Sequence, residues 1–342
     1  MVETMSCSFG PVNPEVSVVM SCYNCAFWLK EAIASVLAQT YANYELILVD
    51  DGSTDETAQI IRKYRDQDKR IIAIFKRNTG LADSLNTAIA QARGSWIARI
   101  DADDLCEPAR LKKQVSFLEG HPQVVLLGSG FMEIDDRGRE LSEHLYPSDH
   151  RILVSHLQRL QSFFPHSSAI FSRRVIQGLG PYNTLFRKAQ DWELWLRISE
   201  RGRIACLREC LVRVRKHRQQ ITNSPDDFSQ LVYAAAASVC HFLRIDYGVD
   251  PSCPAEKTSR ENFIAWVNER LVQEGLIGRR GIWQEARTEF FAAGNRLSGL
   301  FGFSRRIMRS GHAAGLIREK LFGVDYPRRL ARQWMIATKV HQ

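Results

Sequence analysis

Along the first 130 residues, short apolar runs alternate with segments whose apolar positions recur at helical spacing. Residues 16–20 (VSVVM) are apolar and largely β-branched, and Ser21, Cys22, Tyr23 and Asn24 close them; a buried strand ending in a turn is predicted. Leu29, Ile33, Val36 and Leu37 then share one face of a helix over 27–39. A second strand is predicted at 44–49 (YELILV), stopped by Asp50, Asp51 and Gly52. Residues 53–56 (STDE) have the form of a capping box, opening a helix through Ile60, Ile61 and Tyr64. Residues 71–75 make a third strand, Asn78, Thr79 and Gly80 a turn, and 81–92 a helix. A fourth strand at 96–100 runs into Asp101, Asp103 and Asp104. Pro108 marks the first turn of a helix reaching Glu119, and 124–127 is a fifth strand.

This alternation implies βαβ units: an α/β fold with a mainly parallel sheet and flanking helices. Such sheets bind ligands outside the carboxyl ends of their strands. Tyr23 with Asn24, Asp50 with Asp51, and Asp101 with Asp103 all fall at those ends, so one rim should collect them. The pattern then loosens. Residues 144–159 read as loop plus helix, 163–171 mix apolar residues with Pro165, His166 and Ser167, and 192–198 look helical. Residues 211–215 alternate apolar and basic side chains, as a strand with one wet face would, with Arg213 and Arg215 to one side. Residues 224–227 read as a linker, and the remainder of the chain as mostly helical and Arg-rich.

Composition changes this picture mainly through charge. The chain has 342 residues, 45% hydrophobic and 25% charged, which excludes a disordered or collagen-like protein and leaves room for a second, smaller unit. Its net charge of +8 is not spread evenly: from Arg270 to the end, fourteen Lys/Arg face five Asp/Glu, so everything before sums to −1. A near-neutral body with a basic terminal segment is the result. Residues 1–14 lack the positive and apolar regions of a secretory signal. No apolar stretch reaches the ~18 residues of a membrane span, and the longest, 231–243, carries His241. The eight cysteines are scattered and read as reduced thiols of a cytoplasmic protein. Cys22 and Cys25 form a C-x-x-C pair without the second pair that a zinc site needs.

The rim has neither a Walker-type phosphate loop nor a G-x-G-x-x-G fingerprint. It offers carboxylates, which meet a diphosphate only through a divalent cation. Asp101 and Asp103 supply the hard oxygens that Mg²⁺ or Mn²⁺ prefers; Asp104 reads better as a cap for the helix beginning near Glu107.

Residues 16 to about 222 resemble the family 2 glycosyltransferases, with their A-type nucleotide-sugar-binding fold. The resemblance rests on VSVVMSCYN (16–24), ELILVDDGSTDET (45–57), the run from Arg77 to Asp104, FPHSSAIF (164–171), AQDWELWLR (189–197) and VRKHRQQIT (214–222), in family order. It implies an inverting, metal-dependent transfer from a nucleoside-diphosphate sugar, UDP-linked by preference, to a saccharide or lipid-linked acceptor. Tyr23, Asn24, Asp50, Asp51, Asn78, Gly80 and Arg215 would then serve the donor together with Asp101 and Asp103. Asp103, Asp101 and His217 would hold Mn²⁺ or Mg²⁺, and Asp191 would be the catalytic base. His166, Gln190 and Trp192 would face the acceptor. The implied division is an extension (1–14), a catalytic domain (15–222, nucleotide half to about 130, acceptor half 131–222) and a basic helical region (223–342).

Each role has a plainer counterpart. Asp191 could be a helix N-cap, His217 part of a solvated basic edge, His166 a histidine satisfied under a loop, and Tyr23 a ring packed on the core. The family's usual Glu before the base is Gln190 here, and its usual Tyr before the Arg-x-His positions is missing. A nucleotidyltransferase would want a Gly-rich basic loop where residues 21–25 hold none. A non-enzymatic protein binding through its basic segment is a further alternative. In that segment Leu297, Leu300, Phe301, Ile307 and Met308 lie beside Arg305, Arg306 and Arg309. This suits contact of residues 270–342 with an anionic membrane, at its inner face, and no nucleic acid is expected.

Overall fold

A computed structural model describes residues 13–217, 227–253, 257–274 and 325–339. Two compact units divide the chain, the first formed by 1–157 with 161–225 and the second by 226–342 with 158–160.

In the first unit the predicted alternation is realised as β1 (Val16–Cys22), α1 (Ala26–Leu37), β2 (Tyr44–Asp51), α2 (Thr57–Gln67), β3 (Ile71–Lys76), α3 (Leu81–Gln91) and β4 (Trp96–Arg99). A short β5 (Leu105–Cys106) precedes α4 (Arg110–Gly120). Next come β6 (Val124–Ile134), β7 (Glu140–His144), α5 (His150–Gln158), a 3₁₀ turn at His166–Ser168, β8 (Ile170–Ser172), α6 (Arg173–Leu179), α7 (Gln190–Ser199) and β9 (Arg203–Arg215). The sheet order is β3-β2-β1-β4-β8-β6-β9-β5, with β7 on β6. β3, β2, β1 and β4 are mutually parallel, as βαβ connections require, whereas β8 runs antiparallel to both β4 and β6. The sheet is therefore mixed beyond β4.

Every residue of β2 is buried, which explains its continuous apolar run: both faces of the sheet are covered. Val16, Val18, Met20, Leu46 and Leu48 join Leu29, Ile33 and Val36 of α1 and Leu111, Val115 and Leu118 of α4 in one core. Val19, Ile47 and Val49 alternate with them on the other face, where α3 lies against β1 and β2.

Two local expectations are corrected. No capping box forms at α2; instead the Asp55 carboxylate accepts from Thr57 N at 2.9 Å and from Ala26 N at 3.1 Å, joining the starts of α2 and α1. Burial pushes the Asp55 pKa up, but these bonds outweigh it and the net shift is downward. Pro108 precedes α4 rather than opening it, because the carbonyl of Pro108 accepts from Thr40 N at 2.9 Å.

The second unit contains α8 (Asp227–Tyr247), α9 (Lys257–Gln273) and α10 (Asp325–Lys339). Trp334 of α10 meets Phe263 and Trp266 of α9 edge-on, each at 5.1 Å between centroids. Among the described residues no helix is long and apolar enough to cross a membrane. Most of the linker at 224–227 and the apolar–basic positions from Leu297 to Arg309 lie outside the described residues.

Candidate active site

The register pairs Cys22 with Asp50, Asp51 with Lys76, and Val19 with Arg99. The segments that follow β1, β2 and β4 consequently leave the sheet along one edge. There Tyr23 is 52% exposed. Asn24 adopts φ 47°, a left-handed conformation that asparagine tolerates. Its Oδ1 accepts from Thr54 N at 2.8 Å and its backbone N donates to Ser53 Oγ at 3.0 Å, tying the β1 loop to the β2 loop. Buried Asp50 accepts from Ser53 N at 3.2 Å. Buried Asp51 accepts from Thr79 N at 3.0 Å, from Gly80 N at 2.9 Å and from Lys76 Nζ. Asn24, Asp51 and the Gly80 backbone thus spend these polar atoms on the shape of the rim, while Tyr23 and Asn78 stay exposed along it.

The acidic turn after β4 is more open. Single oxygens of Asp101, Asp103 and Asp104 lie within 4.8 Å of one another. Asp101 accepts from Arg99 and, at 2.9 Å, from Ser167 Oγ. Asp104 is buried and accepts from Ser167 and from Arg215 N at 2.9 Å; it caps no helix, contrary to expectation. Burial, with Asp103 and Asp101 adding repulsion, raises its pKa well above the usual carboxylate range. Asp103 is partly exposed, its Oδ2 2.9 Å from His217 Nε2. Three hard oxygens and an imidazole are a donor set that Mg²⁺ or Mn²⁺ fits, with Asp101 and Asp103 its two solvent-accessible carboxylates.

Arg215 departs from the wet-face expectation. It is 1% exposed; Nε donates to the Asp103 carbonyl at 3.0 Å, Nη1 to the carbonyls of Asp135 and Asp136, and Nη2 to Glu31 at 2.8 Å. Its cation holds the acidic turn in place rather than reaching out from a solvated strand.

Asp191 is the second residue of α7, after Ala189 at φ 52°, so it is not the N-cap. Its Oδ1 accepts from its neighbour Trp192 N at 2.9 Å. Burial raises its pKa; the Trp192 N–H and the Arg99 cation oppose this, and Asp101 reinforces it. A carboxyl with raised proton affinity suits a general base. Gln190 is buried, and the Trp192 indole donates to the Leu157 carbonyl at 2.8 Å. His166 Nε2 lies 2.6 Å from Tyr182 Oη. Burial, then Arg99, pushes the His166 pKa well below its ordinary value, which keeps the ring neutral near pH 7.

Sequence reasoning missed Arg99, Ser167 and Tyr182. Buried Arg99 donates to both Asp101 and Ser167 (3.0 Å to the latter), and its charge also acts on His166, Tyr182 and Asp191. It bonds the acidic turn and acts on Asp191 through its charge. The available signal was a cation inside the apolar run 96–100. Behind it, Arg110 and Gln114 on α4 bond the carbonyls of Arg99 (2.8 Å) and Ser168 (2.7 Å), fixing the end of β4 against the 3₁₀ turn.

The parallel part of the sheet thus ends in a carboxylate turn, with the Asp191 carboxyl of α7 close enough to feel the charge of Asp101. The family model described as Glycosyl transferase family 2 matches residues 17–180, and the chain belongs to that family. It is 38% identical over 233 residues to the putative glycosyltransferase EpsE of Bacillus subtilis (strain 168), covering 65% of this chain and 82% of that protein. To the amylovoran biosynthesis glycosyltransferase AmsE of Erwinia amylovora it is 32% identical, covering 55% and 70%. The crystal structure of S. aureus TarS 1-349 in complex with UDP-GlcNAc shares the fold at a TM-score of 0.56 and 19% identity, covering 94% of this chain and 92% of that one.

Proposed function

We propose that this glycosyltransferase moves a sugar, with inversion, from a UDP-linked donor to a hydroxyl of a saccharide or lipid-linked saccharide in polysaccharide assembly. The observation that carries this is the pairing of an open acidic turn at Asp101–Asp103 with the raised-pKa carboxyl of Asp191, Arg99 bonding Asp101 and acting on Asp191 by its charge. The UDP-GlcNAc complex of TarS and the name of AmsE support the donor and the polysaccharide context.

In this reading Tyr23, with Asn78, borders the nucleoside along the exposed rim. Asp50 and Asp51 keep that rim in shape. Asp103, Asp101 and His217 would hold a divalent cation, which would supply positive charge for a departing nucleoside diphosphate. The acceptor oxygen attacks the anomeric carbon while its proton passes to Asp191; the bond to the diphosphate oxygen breaks and that oxygen keeps the electron pair. Arg99 keeps Asp101 ordered and lowers the proton affinity of Asp191. His166, Gln190 and Trp192 border the acceptor, with the neutral His166 held by Tyr182. In the same reading the catalytic domain runs over 15–222, and the basic residues of 270–342 meet an anionic membrane surface at the cytoplasmic face.

Purified protein is given a panel of nucleotide sugars with and without Mn²⁺, and donor turnover is followed by release of the nucleoside diphosphate. Wild-type turnover by Asp103→Ala would sink the metal assignment, and by Asp191→Asn that of the base. Release of pyrophosphate instead would indicate a nucleotidyltransferase.

A further inference from the structure

The apolar face of α1 accounts for Leu29, Ile33 and Val36, and its spacing alone asks for no chemistry. Yet Trp28 and Glu31, three apart and so neighbours on the helix surface, both meet the end of β9. The Trp28 indole lies over the His217 imidazole, centroids 3.9 Å apart and planes 34° apart. Phe27 meets Trp28 edge-on at 5.0 Å. One turn along, Glu31 pairs with Arg215 at 2.8 Å. From that stretch the Arg215 backbone reaches Asp104, its Nε reaches the Asp103 carbonyl, and His217 Nε2 reaches the Asp103 carboxylate.

The indole N–H of Trp28 is buried and has no partner among the described residues. A buried donor left unpaired costs stability, so the ring is not placed by a bond of its own. What it does make is a flat wall against an imidazole. A histidine at the end of a strand has two free side-chain torsions, and a wall on one face removes most of that freedom. Nε2, turned to Asp103, is the nitrogen that a cation on Asp103 would meet.

We propose that Trp28 is a positioning residue for His217, fixing the imidazole plane so that Nε2 adds to the divalent-cation site formed with Asp103. This rests on the metal reading above. Groups that orient a ligand typically change metal affinity by about 10–100-fold when removed.

The test is a Mn²⁺ titration of the full chain with UDP present, following free Mn²⁺ by electron paramagnetic resonance. Trp28→Ala is expected to bind Mn²⁺ about tenfold more weakly, and Trp28→Phe, which keeps an aromatic face, to stay near wild type. His217→Ala should lose at least as much, and adding Trp28→Ala to it should cost nothing more, since the ring acts through that imidazole. Wild-type affinity in Trp28→Ala overturns the proposal. So does a loss that persists in full on the His217→Ala background, because the ring would then act through the fold. If Trp28→Ala does not fold, Trp28→Phe decides: full loss of the site in that variant refutes the aromatic wall. A wild-type chain that takes up no Mn²⁺ brings down the metal reading itself, an outcome distinct from failure of Trp28 alone.

Discussion

Asp191 is held where its charge is disfavoured, and that has two measurable consequences of opposite sense. A carboxyl whose folded pKa exceeds its unfolded one binds its proton more tightly in the fold. The fold therefore gains stability from it at low pH and loses that gain as pH rises through the raised value. At neutral pH the ionised side chain is a cost that Asp191→Asn removes. That variant should melt at or above the wild-type temperature by calorimetry while turnover drops about 10²–10⁴-fold. In the wild type the acid limb of kcat/KM belongs above the ordinary aspartate value of about 3.9, with activity lost as pH falls through it. A profile still flat at pH 4, or an Asn variant that is both less stable and fully active, contradicts the role. The carboxylate itself was legible in the sequence through the family motif. Its environment was not, because Arg99, whose cation acts on it, and Asp101, whose charge reinforces its shift, stand some ninety positions earlier in the chain and come near it only in the fold.

At the scale of elements, the alternation of apolar runs and helical spacing placed β1 to β4 and their helices close to where they lie, since each is fixed by local periodicity and full burial. The rest of the sheet was harder to read. β8 is three residues long, β5 two, and β6 serves β7, β8 and β9 at once, so pairing there is decided by tertiary partners and not by pattern. The caps failed for a related reason: Asp104, read as a local helix signal, bonds Ser167 and Arg215 instead, and in the segment read as a capping box it is Asp55 that ties α2 to α1. Gly52 tests how far the rim depends on such ties. It sits at φ 73°, and a Cβ there would stand 2.7 Å from the Asn78 backbone N. Gly52→Ala should cost about 1–2 kcal/mol for the left-handed conformation alone, with the loop at 78–80 displaced besides. Urea unfolding should report the loss, and UDP affinity should fall with it. Unchanged UDP binding in a destabilised variant would separate that loop from the donor.

At the scale of the molecule, the surplus charge reads differently once some of its members are located. Of the fourteen cations from Arg270 onward, Arg328 and Arg329 are among those described that are paired within their own unit. Arg328 bonds Asp246 at 2.7 Å through both Nε and Nη2, and Arg329 bonds Glu274 at 2.8 Å. The amphipathic α10 also turns Tyr326, Leu330 and Ala331 inward. That face of the helix is built to pack, and in the proposed reading the lipid contact falls to cations outside it, Arg305, Arg306 and Arg309 among them. Charge reversal of those three to Glu should therefore abolish flotation with vesicles rich in phosphatidylserine, and raised salt should do the same to the wild type. Arg328→Glu and Arg329→Glu should instead lower the melting temperature and leave flotation of the folded fraction unchanged. Flotation that ignores salt and the triple reversal would leave the basic segment as a packed helical surface, and the acceptor would then have to be met without help from the membrane.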